Sequence, residues 1–279
     1  TIPLIGYSNR LSVRPGEVIS FKVSSESKSN FNASLFRSFS SDPNPSGQGI
    51  NEEKADQFFS PKSFKSRKQD HFPGSYAISS KELTFSTNNN FKIDVNFFNT
   101  LKNNSIQTLF NVDFLSIYIS KSFKISCRFY DQIIQLPKII KIRNWYKIEL
   151  EFNSLEKTLA LKQTDIKNSS LEFKQKIKIN KIPKFVTGKV FISAEMAEKN
   201  VSNFFNGKIE NPSILIAEKK DVFKTLVRWD FSKSIPSSVI SDLSKNKINL
   251  NIINFPTRGV TGSKWDGSEM SWKHCPDHY

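Results

Sequence analysis

The sequence is short of the residues from which catalytic and metal sites are usually assembled. Its 279 residues hold two cysteines and three histidines. Two thiols cannot build a disulfide framework. Cys127 lies inside an apolar alternation and Cys275 close to the last residue, so idle or buried thiols are expected rather than a bridge. No apolar run approaches the roughly 18 residues that span a bilayer, and no secretory leader pattern opens the chain. A glycine-rich strand-to-helix element is also missing, which excludes a dinucleotide-binding α/β domain. The string Gly262-Ser263-Lys264-Trp265-Asp266-Gly267 lacks the spacing of a nucleophile elbow. Helical periodicity is scarce, and only Glu218–Val227 and Ser237–Leu243 are compatible with two or three turns. The four Asn-x-Ser/Thr sequons, at Asn32, Asn103, Asn168 and Asn200, are what an Asn- and Ser-rich chain produces by chance.

Arginine is the scarce cation. The formal charge is +15, but 33 lysines stand against 8 arginines. Sequence-reading nucleic-acid proteins rely on the bidentate fork of Arg, and here the excess is Lys alternating with apolar residues, as in Phe173-Lys174-Gln175-Lys176-Ile177-Lys178-Ile179. That pattern paints a solvated strand face, so neither a nucleic-acid nor a membrane partner is expected.

What the chain does have is period-two alternation and 25 phenylalanines to fill a core. Ile19, Phe21 and Val23 follow the turn Arg14-Pro15-Gly16-Glu17. Phe91, Ile93, Val95 and Phe97 alternate with Lys92, Asp94 and Asn96. Phe123, Ile125, Cys127 and Phe129 come next, then Tyr146, Ile148, Leu150 and Phe152. Each set turns one face to a core and the other to water, and strands at this spacing predict an all-β sandwich or barrel. Most Phe share the phase of Ile and Val, so they are expected in the core rather than on a stacking platform.

The Pro-, Gly- and Ser-rich stretch Ser40–Gly49 reads as loop, as does the irregular region Phe58–Tyr76 with Pro61 and Pro73. The expected division is a small β module over residues 1–82, a β-sandwich over 83–220, and an irregular connecting segment over 221–279. That last segment gains Trp229, Trp265 and Trp272 and loses clean alternation, so it is expected to pack on a further domain. With Thr1 first and Tyr279 last, both ends look cut, and the chain is expected to be a fragment.

Two clusters near the end contain titratable groups. His274 and His278, with Cys275, Asp277 and Tyr279, could in principle ligate a metal. Pro276 between them removes the backbone donor that a helical His-x3-His pair requires, so no metal site is assigned. Asp266 and Glu269, flanked by Trp265 and Trp272, could form an acid–base pair. An Asp266-Gly267 turn beneath boundary tryptophans explains them more simply. No catalytic, cofactor-binding or metal-ligating residue is assigned.

Several motifs carry a resemblance. They are Trp229-Asp230-Phe231-Ser232, Asn254-Phe255-Pro256-Thr257-Arg258-Gly259-Val260-Thr261-Gly262, Trp265-Asp266-Gly267-Ser268-Glu269 and Pro276-Asp277-His278-Tyr279. Gly6-Tyr7-Ser8-Asn9-Arg10 through Glu17, and Asp42-Pro43-Asn44-Pro45, belong to the same set. Together they resemble the large (beta) subunit of the N,N-dimethylformamidase family, in the stretch before its catalytic domain. Trp145-Tyr146, Leu159-Ala160-Leu161-Lys162-Gln163 and Phe205-Asn206-Gly207-Lys208-Ile209-Glu210-Asn211-Pro212 are similar to marks of laminin-G or concanavalin-like sandwiches, and the first module to an Ig-like or jelly-roll-like unit. The resemblance implies a bacterial, cytoplasmic amidohydrolase that converts a small amide to an amine and a carboxylic acid. It also implies a mononuclear iron held by tyrosine and carboxylate ligands in a C-terminal domain after Tyr279, with that domain, a small subunit or a second copy as partners. None of the iron ligands falls on a position of this sequence. The alternative expectation is a carbohydrate-binding concanavalin-like module without enzymatic activity.

Overall fold

A computed structural model describes residues 4–69, 74–197, 200–219 and 222–265. It divides into two units, Thr1–Pro73 and Gly74–Tyr279, and the described residues form strands and loops without a helix.

The first unit has six strands: β1 (Leu4–Ser8), β2 (Phe21–Ser25), β3 (Phe31–Ala33), β4 (Phe36–Ser41), β5 (Ile50–Lys54) and β6 (Lys62–Phe64). They pair as three separate antiparallel ribbons, β1 with β2, β3 with β6 and β4 with β5. The unit is all-β, as expected. The alternation at Phe21 and Val23 lies in β2, where Phe21 is 68% exposed and Val23 half-buried.

The second unit begins before the expected residue 83, because β7 (Tyr76–Ser79) and β8 (Leu83–Ser86) already belong to it. The long strands follow: β9 (Asn90–Asn99), β10 (Gln107–Val112), β11 (Leu115–Ile119), β12 (Lys124–Phe129), β13 (Gln132–Ile139), β14 (Trp145–Asn153), β15 (Thr158–Asp165) and β16 (Glu172–Lys178). Then come β17 (Phe185–Gly188), β18 (Val190–Ile192), β19 (Glu195–Ala197), β20 (Asn200–Ser202), β21 (Gly207–Lys219), β22 (Val222–Arg228), β23 (Val239–Ile240) and β24 (Leu250–Ile253). An eight-stranded sheet has the order β13-β12-β11-β10-β18-β7-β24-β23, and a six-stranded sheet the order β16-β15-β14-β9-β21-β22.

The two sheets face each other across a phenylalanine-rich core. On β9 the fully buried Phe91, Ile93, Val95 and Phe97 alternate with half-buried Lys92, Asp94 and Asn96, the phase that alternation predicted. Phe129 of the larger sheet packs on Phe91 and Phe152 of the smaller at ring-centroid distances of 6.3 and 5.7 Å. Aromatic pairs at such distances add to the gain from area burial.

Two expectations fail in the last third of the chain. The segments suggested as helices, Glu218–Val227 and Ser237–Leu243, contain strand instead: β21 runs to Lys219, β22 starts at Val222, and β23 is Val239–Ile240. The expected connecting segment from 221 onward is sandwich as far as β24. β22 closes one edge of the six-stranded sheet, and β23 and β24 complete the eight-stranded one. Short strands with exposed polar neighbours carry too little alternation to be told from loop, and pairing with β21 and β7 supplies the order.

Candidate functional site

Polar side chains gather under cover on the outer face of the eight-stranded sheet. Leu115, Ile117, Ile119, Ile125, Cys127 and Phe129 enter the core, so Ser116, Tyr118, Ser126 and Arg128 stand on the opposite face. The register sets Ser116 across from Arg128, Tyr118 across from Ser126, and Ser126 across from Gln135 of β13. An outer sheet face is ordinarily wet, yet Ser116 and Ser126 are fully buried and Tyr118 nearly so.

Glu195, at the start of the β19–β20 hairpin, is the centre of this cluster. It is itself buried. Its carboxylate accepts the Ser116 hydroxyl at 3.0 Å, the Arg128 Nη2 at 2.9 Å and the side-chain amide of Asn203. Gln135 Nε2 donates to Ser126 Oγ at 2.9 Å. A buried carboxylate is tolerated only when paired and hydrogen-bonded, and this one is both. Both oxygens are committed, so Glu195 is an anchor for the hairpin rather than a free general base. Arg128 keeps 41% of its side chain exposed and is the part of the cluster a ligand can reach. Burial pushes the Tyr118 phenol up, which leaves it a hydrogen-bond donor.

The residues that attracted attention in the sequence are distributed otherwise. Cys127 is a buried free thiol whose pKa burial raises far above its ordinary value, so the reactive thiolate is suppressed. Trp229 is fully buried and its Nε1 donates to the Ile248 carbonyl at 2.8 Å. Trp265 is 45% exposed. The remaining candidates, His71, Asp266, Glu269, Trp272, His274, Cys275, Asp277, His278 and Tyr279, lie outside the described residues. Among the described residues no group of three or more His, Cys, Asp and Glu could hold a metal ion.

Clamps hold the C-terminal stretch, two of them on Arg258 and Thr261 of the motifs that carry the family resemblance. Asp242, buried, accepts backbone N–H groups of Arg228, Ser244 and Ile248 at 3.0, 2.8 and 3.0 Å. Arg258 donates from Nη1 to the carbonyls of Ser234 and Ser237, and from Nη2 to those of Phe231 and Lys233. Lys208 Nζ reaches the Thr261 carbonyl at 3.0 Å and its hydroxyl at 2.7 Å. Glu210 Oε1 approaches so near to Gly262 that a Cβ there would lie 2.2 Å from it. Residues 258–263 are therefore fastened to their own sandwich, where sequence reading expected them to rest on a further domain.

The two motif groups that meet here, Gly207-Lys208-Ile209-Glu210 and Thr261-Gly262-Ser263, lie 53 positions apart. The beta subunit of N,N-dimethylformamidase from Paracoccus aminophilus is 25% identical over 328 residues, an alignment that covers 100% of this chain and 43% of that protein. The corresponding subunit from an Alcaligenes species is 25% identical over 333 residues, covering 100% of this chain and 42% of its own length. The chain is similar to the N,N-dimethylformamidase beta subunits along its whole length. It spans less than half the length of these two relatives, and no protein-family model matches it.

Solved structures with similarity include the CBM40 of the Ruminococcus gnavus IT-sialidase bound to α2,3-sialyllactose. It is 17% identical with a TM-score of 0.37, covering 45% of this chain and 75% of that one. The LG1–3 region of the laminin α2 chain is 12% identical with a TM-score of 0.35, covering 56% and 34%. At these TM-scores the sandwich architecture rests on the chain's own sheet topology.

No sequence signal marked Glu195 or Arg128. Arg128 occupies the ordinary polar phase of a strand, and Glu195 follows Ser193-Ala194 in a segment without alternation. Their meeting depends on the hairpin of β19 and β20.

Proposed function

We propose that these residues form a non-catalytic β-sandwich scaffold of an N,N-dimethylformamidase-like amidohydrolase. In the parent reaction, water adds across the C–N bond of a small N-substituted amide and releases an amine and a carboxylic acid. The observation that carries this reading is the match to beta subunits along the whole chain, while more than half of each relative lies outside the match. The described polar clusters support it further. Glu195, Asp242 and Glu210 each spend their oxygens on holding a hairpin, a turn or a strap. The catalytic groups and the iron would then belong to the part of the enzyme outside these 279 residues, which would also be the scaffold's main partner, together with a small subunit. A bacterial cytoplasm suits such an enzyme.

The test is direct. Purified protein is incubated with N,N-dimethylformamide while dimethylamine is measured, and its iron content is determined by elemental analysis. No turnover and no stoichiometric iron are expected. Dimethylamine release scaling with protein, and absent with heat-denatured samples, would reject the scaffold reading.

A second reading is a carbohydrate-binding module, favoured by the partly exposed Arg128 and half-buried Gln135 on the outer face of the eight-stranded sheet. Saccharide hydroxyls are recognised by such polar groups. A glycan array decides it: reproducible sugar binding abolished by Arg128→Ala supports the module, and a blank array removes it.

A further inference from the structure

The lysine excess is not spread evenly over the sandwich. On the outer face of the six-stranded sheet the cations interleave with carboxylates. Lys92 pairs with Glu151, Lys147 with Asp94 and Glu149, and Lys162 with Glu149 and Glu172. There Lys92, Lys147 and Lys162 each have a carboxylate beside them.

One end of the sandwich differs. Three loops meet there, joining β9 to β10, β11 to β12 and β13 to β14. They are tied together by Arg143 N–H to the Asn99 carbonyl at 2.7 Å and Ile140 N–H to the Phe123 carbonyl at 3.0 Å. These loops expose Lys102, Lys121, Lys141 and Arg143, and none of the four has an ion-pair partner among the described residues. Lys102 Nζ instead lies 5.6 Å from the centroid of the Phe123 ring. The carboxylate nearest in register, Asp165, is already occupied by the Asn144 side-chain amide and the N–H groups of Lys167 and Asn168. The same loops expose aliphatic side chains, with Leu101 43% and Ile142 45% accessible.

We propose that this loop end is a docking surface for an anionic lipid bilayer. Three features select lipid over protein or nucleic acid. The cations are mostly Lys, which is depleted in protein interfaces and lacks the fork by which Arg reads bases. Compact ammonium groups suit a field of lipid phosphates, to which each basic residue near the surface adds attraction. The exposed Leu and Ile match the apolar–cationic mixture that settles at the headgroup boundary. Contact of this kind is peripheral and needs no spanning segment; no helix among the described residues is long and apolar enough to cross a membrane. The inference stands apart from the scaffold reading, since it concerns what the rim touches and not what the enzyme converts.

The experiment is co-sedimentation of the purified chain with phosphatidylcholine vesicles, with and without phosphatidylglycerol. Binding is expected only with phosphatidylglycerol present and should fall as salt rises. Each neutralisation among Lys102→Gln, Lys121→Gln, Lys141→Gln and Arg143→Gln should weaken partitioning about fivefold. Leu101→Asn with Ile142→Asn should weaken it without a change of charge. Combining all four rim changes should abolish binding, whereas a control with the same net charge, combining Lys81→Gln, Lys157→Gln, Lys245→Gln and Lys247→Gln, should bind almost as well as the parent. Equal loss in rim and control variants would reduce the effect to net charge and overturn the proposal, as would binding to phosphatidylcholine alone or to neither vesicle. Rim-dependent binding of poly-glutamate or single-stranded DNA without vesicle binding would assign the surface to an acidic protein or a nucleic acid and equally overturn it. Thermal unfolding of every variant separates lost docking from lost fold.

Discussion

Glu210 accepts both the backbone N–H of Ser263, at 2.9 Å, and its hydroxyl, at 2.6 Å. This double acceptance joins the longest strand to the strap of residues 258–263, and it depends on Gly262, where any side chain would meet the carboxylate. Glu210→Ala should release the strap and cost about 1–3 kcal/mol, the range for a charge-assisted hydrogen-bonded group. Limited proteolysis should then cut between Arg258 and Trp265 in the variant but not in the parent. In a double-mutant cycle, Ser263→Ala on the Glu210→Ala background should add nothing further.

Asp242 is the other clamp worth removing. Its carboxylate takes three backbone N–H groups and the Ser244 hydroxyl while the residue is 1% exposed. Asp242→Ala strands those donors in a dry site and should destabilise the sandwich by about 3 kcal/mol. Chemical denaturation should show the loss as a lower midpoint with an unchanged slope.

Arg128 and Glu195 should respond unequally to deletion, because one is half in water and the other is not. Arg128→Met leaves a buried carboxylate with only neutral donors, and should cost about 2–4 kcal/mol. Glu195→Gln returns Arg128 to solvent and keeps an amide in the cluster, so it should cost about 1 kcal/mol. Equal losses in equilibrium unfolding would contradict this account.

Asp94 and Glu149 face each other across β9 and β14 and respond to acid with opposite signs. Burial raises the Asp94 carboxyl and Lys147 offsets this only in part, so the net shift is upward. Burial would raise Glu149 too, but hydrogen bonds from Lys147 and Lys162 outweigh it and hold that carboxyl below its ordinary value. Ionised Asp94 therefore opposes folding at neutral pH, and the penalty disappears as pH falls through its raised folded pKa. Glu149 contributes stability above its unfolded pKa and loses it as pH falls through the depressed folded one. At neutral pH Asp94→Asn should stabilise and Glu149→Gln destabilise, each by a few tenths to about 1 kcal/mol, since both groups are partly exposed and screened. Both differences should vanish in acid below the carboxylate range, as read by thermal unfolding across pH.

The sequence by itself determined that the protein is all-β and that Phe91, Phe97, Phe123, Phe129 and Phe152 would be buried. In a half-buried strand the burial phase is written residue by residue, and β9 follows it along its full length and β14 from Tyr146 onward. The similarity to N,N-dimethylformamidase beta subunits was also legible, through motifs such as Trp229-Asp230 and Arg258-Gly259, although what those residues do was not. Only the tertiary structure decided that Trp229 and Arg258 are fastenings, that β22, β23 and β24 are strands, and that Glu195 finds Arg128. Each of these depends on partners far along the chain, and hydrogen bonds between distant segments leave no periodic trace. The exposure of Phe21 has a related reason: alternation states that a strand has two faces, while what covers one of them must come from elsewhere in the fold.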